Sequence, residues 1–368
     1  MYHLKIPNKK KVFQIDSKLA RGSLYYQMKV NFILDLEKSL IGSGVYSSAI
    51  RLAKKLKEFG INTDVNGQNF PYDIYHFQTS LPQSLWKAKI LKRKKRTHKI
   101  LMTGHTTIED FRDSFIFSNR INFVLKPYLT KFYSYADYLI AVSNYNRDIL
   151  LRYGYNPTKI RVISNGIDLT KNRKNLNLRI KTRKYLGVSP DQLIVITVGL
   201  CIFRKAPDIF TEVALSSPEH QFFWIGRYLP LGTIAHSSIL REKFLLAKKT
   251  SNIRFTGYVS RFTLEALWNA ADVFLYVSRE ENQGIALLES MAYGKVPIVR
   301  DHPVFDWLSS DKDCLKGKTI KDFSNQIKRL ASDKNLMVNL QSNGKLALKD
   351  HDINKSVKKL VNLYMEIT

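Results

Sequence analysis

Short apolar runs alternate along this chain with longer stretches whose apolar positions recur at helical spacing. The runs read as strands: KVNFIL (29–34), YDIYHF (72–77), HKILMT (98–103), DYLIAV (137–142) and KIRVIS (159–164) in the first half. LIVITVG (193–199), HQFFWIG (220–226), NIRFTG (252–257), DVFLYV (272–277) and KVPIVR (295–300) follow in the second. Several are apolar on both faces, as strands buried between two layers must be. Between them, YSSAIRLAKKLKEFG (46–60) and RFTLEALWNAA (261–271) carry the helical period, and Gly60 closes the first as its C-cap. This alternation predicts an α/β fold class built of βαβ units, doubly wound parallel sheets with helices on both faces. The polar stretch 165–182 has few core residues and is expected to link two such domains. Their strands' carboxyl ends, where such sheets bind ligands, would then face one cleft.

The expected boundaries are 28–170 for the N-terminal domain and 171–353 for the C-terminal domain, with 354–368 a final helix packing back on the first. Residues 1–27 read either as a basic surface arm or as an extension upstream of a start at Met28. A length of 368 residues agrees with two cores rather than one. The net charge of +28 changes the picture more, because it calls for an anionic partner: nucleic acid, an acidic membrane surface or a phosphorylated substrate. The plain alternative is the general basicity of an AT-rich genome. Cys201 and Cys314 make no disulfide framework and fit a reducing cytoplasm. There is no apolar run long enough to span a bilayer and no apolar core of a signal peptide near the start, so membrane contact is expected to be peripheral.

Chemistry concentrates in SREENQGIALLESMAYGKVPIV (278–299). A strand ends at Val277, and a helix is expected to begin near Gly284 and Ile285 with Leu287, Leu288 and Met291 inward. The first turn of such a helix offers N–H groups and a partial positive charge to a diphosphate, and Gly284 permits close approach. Glu281 and Glu289 flank the turn and are able to accept hydrogen bonds from vicinal hydroxyls. Taken alone, the two acids are also explained as solvated partners of the helix dipole.

The wider pattern resembles the retaining family-4 glycosyltransferases, which have the two-domain GT-B fold. The match rests on Glu281, seven residues, Glu289 and then SMAYGKVPIV, together with VSNYNRDILLRYGYNPTKIRVISNGIDL (142–169). The resemblance implies that Glu281 contacts a donor sugar and Glu289 the ribose of a nucleotide. VGLCIFRKAPDIF (198–210) stands where the family has V-G-R-L and then Lys-Gly, so Gly199 and Lys205 match while Leu200 and Ala206 depart. Arg204 is the expected replacement for the missing phosphate-gripping arginine, a guanidinium being suited to two phosphate oxygens. FTGYVS (255–260), with Tyr258, is similar to the loop lining the base pocket. In LIGSGVYSSA (40–49), Gly42 and Gly44 correspond to the loop reaching toward donor phosphate and acceptor. His105, in MTGHTTIEDF, matches the family's histidine beside the donor sugar; His76 resembles a cleft residue, and Asp110 is an acceptor contact or a helix-start acid. With Arg204 and Lys205 neutralising a departing UDP, no metal or other cofactor is expected.

GHTTIEDFRDSFIFSN (104–119) and IVRDHPVFDWL (298–308) resemble a Gram-positive and mollicute branch that glycosylates diacylglycerol or monoglycosyl-diacylglycerol. That implies a UDP-hexose donor, a lipid acceptor, and a peripheral location on the cytoplasmic face of the plasma membrane. SLWKAKILKRKKRTHK (84–99) supplies eight cations, no acid and Trp86. Residues 119–137 carry Ile121, Val124, Leu125, Tyr128, Leu129, Phe132 and Tyr133 at helical spacing, either a face for a lipid interface or one packed on the sheet. The second reading is a transferase for surface polysaccharide on a soluble or polyprenyl-linked acceptor. A nucleic-acid binder is disfavoured, because the basic run contains only Trp86 for stacking. Signatures of zincins, P-loops, C-x-x-C sites and G-x-S-x-G hydrolases do not occur.

Overall fold

The computed structural model describes residues 28–36, 43–68, 71–94, 98–170 and 174–368. The first half runs β1 (Lys29–Ile33), α1 (Gly44–Glu58), β2 (Asn62–Val65), β3 (Ile74–Phe77), α2 (Pro82–Arg93) and β4 (Lys99–Thr103). It continues with α3 (Ile108–Phe111), α4 (Asn122–Tyr133), β5 (Tyr138–Ala141), α5 (Asn144–Arg152) and β6 (Ile160–Val162). The second half runs α6 (Leu176–Leu186), β7 (Ile194–Val198), α7 (Pro207–Leu215), β8 (Gln221–Ile225), α8 (Ser237–Lys248), β9 (Ile253–Gly257) and α9 (Arg261–Ala270). After these come β10 (Val273–Tyr276), α10 (Ile285–Ala292), β11 (Val296–Arg300), β12 (Leu315–Gly317), α11 (Ile320–Ser332), α12 (Lys334–Ala347) and α13 (Ile353–Ile367).

Two six-stranded sheets result, in the orders β2-β1-β3-β4-β5-β6 and β12-β11-β10-β7-β8-β9. Every paired strand is parallel to its neighbour. Alternate residues of each strand enter different cores. Val30, Phe32 and Leu101 pack under α1 and α13, whereas Phe77, Ile100 and Met102 pack under α2 and α4. In the second sheet Ile194, Ile196 and Phe223 face α9 and α10, while Val195, Phe222 and Trp224 face α7 and α11. This is the α/β doubly wound arrangement that the alternating pattern predicts and the GT-B fold that the resemblance implies.

Two of the four edge strands, β2 (NTDV) and β12 (LKG), lack the apolar runs that mark the other ten. The stretch 165–182, expected as a polar linker, is partly helix. Asn175 caps α6 by accepting from the Leu178 N–H, and Arg179 and Arg183 reach the buried Asp272 at 2.6 and 2.9 Å. The chain's end crosses back: Ile167 N donates to His351 O and Ile353 N to Ile167 O, and α13 then lies on the first domain.

Candidate active site

The carboxyl ends of the two sheets meet at the turns after β7 and β10. Beyond β7, Gly199 lies alongside the Lys205 stem, where a Cβ would make only ordinary contact, 3.8 Å from Lys205 Cδ. A short 3-10 turn (Phe203–Lys205) then presents Arg204 and Lys205 side by side. Ala206, in the place of the family's glycine, keeps the left-handed backbone with φ +61°. Lys205 Nζ donates to Glu281 Oε1, and the Tyr276 hydroxyl donates to the same oxygen at 2.7 Å. The Arg204 guanidinium, 8% exposed, lies 3.9 Å from that oxygen. It donates to the Glu280 carbonyl at 2.9 Å, and from Nε to Ser114 Oγ at 3.0 Å. It also pairs with Asp110 of the opposite domain at 2.8 Å. Arg279 ties the two turns together: it grips Asp208 with both terminal nitrogens, stacks 3.8 Å over Phe203, and its N–H donates to Arg204 O.

Gly284 N-caps α10 with φ +81°, and a Cβ there would meet Tyr276 Cε1 at 2.8 Å. Only glycine fits that turn without displacement. The α10 first turn, beginning at Ile285, therefore opens beside Glu281 with N–H groups that a helix does not satisfy internally. Glu289, one turn on, pairs with Arg51 of α1 at 3.3 Å. Gly44, the first residue of α1, sits against Ile285: a Cβ at Gly44 would lie 3.3 Å from Ile285 Cδ1. Thus Gly44, Gly199, Arg204, Lys205, Glu281, Gly284, Ile285 and Glu289 come together. Tyr258 does not join this ionic cluster; it is exposed beyond β9, with Arg227 5.7 Å from its ring. Gly42, residues 1–27 and the cations at 95–97 lie outside the described residues.

His105 lies at the carboxyl end of β4, its Nε2 3.1 Å from Gln78 Oε1. Burial lowers its pKa to about 4, so the ring is neutral near pH 7 and presents a dipole rather than a charge. His76 is not a cleft residue. Its Nδ1 meets the Tyr364 hydroxyl of α13 and its Nε2 meets Thr103 Oγ1, both at 2.9 Å, which uses both ring nitrogens inside the first domain. Burial and then the neighbouring His105 lower its pKa to about 3.

The electrostatics favour anions held by cations. Burial opposes the charge on Glu281, but Lys205 and Arg204 outweigh it and keep this carboxyl below its usual range. At Asp110 burial, helped by the neighbouring Glu281 and Glu280, wins against Arg204 and raises the carboxyl. A diphosphate arriving here would find two cations already drawn together by exchangeable carboxylates.

The pair between the two motif residues, Asn282 and Gln283, escapes pattern reading. Asn282 Nδ2 donates to His105 O at 3.0 Å, Asn146 Nδ2 donates to Asn282 Oδ1 at 3.2 Å, and Ser143 Oγ donates to Asn282 O at 2.6 Å. Gln283 Nε2 donates to Val142 O at 2.7 Å, and Asn165 Nδ2 donates to Gln283 Oε1 at 2.8 Å. Two buried amides thus plug the donor-side loop into the opposite domain, fixing Glu281 relative to His105. Periodicity carries no mark of this; the only signal is two amides where a loop crosses a cleft.

Of the two readings of 119–137, packing on the sheet accounts for the inward part. Leu129, Phe132 and Tyr133 are buried in the first domain's core, with Leu125 and Tyr128 packed against it. The spacing from Leu125 to Tyr133 belongs to packing on the sheet, while Ile121 and Val124 are exposed.

Two facing Rossmann-like lobes with a cationic, glycine-bordered turn at their junction define a GT-B glycosyltransferase architecture. Residues 38–171 match the family model described as Glycosyltransferase Family 4, and residues 179–347 match Glycosyl transferases group 1. Between them the two models span most of the chain, which belongs to the family-4 glycosyltransferases. It is 29% identical to the processive diacylglycerol alpha-glucosyltransferase of Acholeplasma laidlawii, over 92% of this chain and 98% of that one. It is 24% identical to the alpha-galactosylglucosyldiacylglycerol synthase of Streptococcus pneumoniae, over 75% and 73%. Among solved structures, Anabaena Alr3699/HepE in complex with UDP and glucose shares the fold with a TM-score of 0.75 at 17% identity, over 92% and 100%. Among the described residues no helix is long and apolar enough to cross a membrane.

Proposed function

We propose that this glycosyltransferase moves a hexose, glucose or galactose, from a UDP-sugar to a membrane glycolipid acceptor, diacylglycerol or its monoglucosyl form, with retention of configuration. The names of the two diacylglycerol-directed relatives support the acceptor class, and the UDP and glucose in the Anabaena protein's title support the donor class. The observation that carries the reading is the convergence of Arg204, Lys205 and Glu281 on the first turn of α10. Arg204, Lys205 and the helix N-terminus would hold the leaving diphosphate, Glu281 the hexose hydroxyls, Glu289 the ribose, and Tyr258 the base. His105, neutral, would touch the sugar from the other lobe. The sugar's C1–O bond to UDP breaks as C1 bonds the acceptor oxygen on the same face, and the acceptor's proton passes to the departing phosphate. No metal is invoked, because fixed cations and N–H groups stabilise that charge. The place of action is the cytoplasmic surface of the plasma membrane.

Radiolabelled UDP-glucose and UDP-galactose, offered with diacylglycerol and monoglucosyl-diacylglycerol, test this, with the product linkage read by NMR. An α-linked lipid product is expected, and Glu281→Ala should lower kcat/KM by about 100-fold or more, roughly 3 kcal/mol of lost transition-state stabilisation. Transfer only to a polyprenyl-linked sugar would sink the acceptor assignment. Full activity in both Glu281→Ala and Glu289→Ala would sink the site.

A further inference from the structure

The stretch from Ile116 into the first turn of α4 is not used by the chemistry described above. Ile116, Phe117, Ile121, Phe123 and Val124 are all exposed, Phe117 at 58% and Phe123 at 79%. Single exposed apolar side chains are ordinary, but five within nine positions form a patch that calls for a partner. Packing of α4 does not account for them, since its inward side chains are Leu125, Tyr128, Leu129, Phe132 and Tyr133. Phe117 has φ +63°, a left-handed backbone that a bulky side chain rarely adopts. The Arg120 guanidinium lies 5.7 Å from its ring.

Charge narrows the partner. From residue 114 through 136 the sequence has no acid, and Arg120, Lys126 and Lys131 are exposed. Apolar side chains interleaved with cations suit a surface with an apolar interior and anionic headgroups. Position adds the link to function. Ser114, two residues before the patch, accepts from Arg204 Nε at 3.0 Å. Phe115 bridges to Ile234, Ile116 N donates to Thr233 O at 3.1 Å, and Asp113 meets His236 at 3.1 Å. The ridge is therefore anchored to both lobes beside the cationic pair.

We propose that residues 116–124 form a ridge that enters an anionic lipid surface and brings the acceptor headgroup to the mouth of the donor site. This rests on the reading that the acceptor is a membrane lipid, and it assigns the docking surface to this strap rather than to the buried face of α4. The ridge supplies the apolar anchor, and Arg120, Lys126 and Lys131 the electrostatic one.

Cys201 and Cys314 are both buried, so single exposed cysteines in the full chain can be labelled selectively. Phe117→Cys and Phe123→Cys, carrying an environment-sensitive fluorophore, are mixed with vesicles of phosphatidylcholine alone or with phosphatidylglycerol. Val338→Cys, exposed on α12, is the control. Blue-shifted emission at 117 and 123 with the anionic vesicles, and none at 338, is expected. Vesicle flotation of the double variant F117D/F123D should fall about tenfold with its thermal unfolding unchanged. No shift at either position overturns the ridge. So does a concentration-dependent dimer that F117D/F123D dissolves, which would assign the patch to a second copy of the chain. Transfer to detergent-dispersed lipid acceptors is measured in parallel: if it persists without the shift, the ridge fails and the proposed reaction stands.

Discussion

Asn282 is the residue whose contribution is easiest to isolate. Its amide both donates and accepts across the cleft, and truncation leaves the His105 carbonyl and the Asn146 amide without it. An unsatisfied buried polar group costs about 1–3 kcal/mol. Asn282→Ala should lower kcat on the order of tenfold or more while changing UDP affinity little, because the donor lobe remains whole and only its registration against His105 is lost. Steady-state kinetics with calorimetric UDP binding separate the two; equal losses in both would show that Asn282 supports the donor lobe itself. The buried histidines set a pH dependence. His76, His105 and His351 have folded pKa values of about 3, 4 and 4, against 6.5 for an ordinary histidine. The unfolded chain therefore takes up protons that the folded one refuses, and the stability these residues contribute is lost as pH falls from 6.5 toward 4. Urea midpoints near pH 7 and pH 5 should show the drop, and His76→Gln should shrink it. At this scale the motif residues are legible in sequence because chemistry restricts their type: a carboxylate, a cation, a glycine with φ above zero. His76 misleads because a histidine at a strand end looks the same whether it faces a cleft or a helix arriving from the far end of the chain.

Elements are legible where a strand is written as an apolar run. The ten runs read from the pattern are all strands, and they include the eight that lie inside the two sheets, since a parallel strand between helix layers admits little else. β2 and β12 are short edge strands whose sequences, NTDV and LKG, carry no such mark, whereas β6 and β9 at the opposite edges keep theirs. α6 was hidden differently. Its Arg179 and Arg183 look like solvated charge, yet they donate to Asp272 and to the carbonyls of residues 269–271. Asp272, 6% exposed, also accepts from Ile194 N, joining α6 to β7 and β10. Asp272→Ala strands two guanidinium groups against the core and should cost about 3–5 kcal/mol, the range for breaking one side of a buried pair. Chemical denaturation measures it; a loss under 1 kcal/mol would mean that water replaces the carboxylate.

Across the whole molecule the end of the chain completes the beginning. Ile353, Val357, Leu360, Val361 and Tyr364 of α13 pack with Val30, Phe32, Ala53 and Leu56. Deleting residues 353–368 should uncover that face, abolish cooperative unfolding of the first domain and promote aggregation, as seen by calorimetry and light scattering. An unchanged first transition would show that α1 alone covers the sheet. The amino-acid order by itself determined the two α/β layers, the parallel sheets and the motif around Glu281 and Glu289, because strand burial, helical period and turn chemistry are local and repeat along the chain. Only the tertiary structure decided that Asp110 meets Arg204, that Asn282 and Gln283 lock the lobes, that His76 serves α13, and which side of residues 116–133 remains for a partner. These pairs are separated by up to 288 positions, and a contact between such distant residues is set by how the layers stack, which no local pattern encodes.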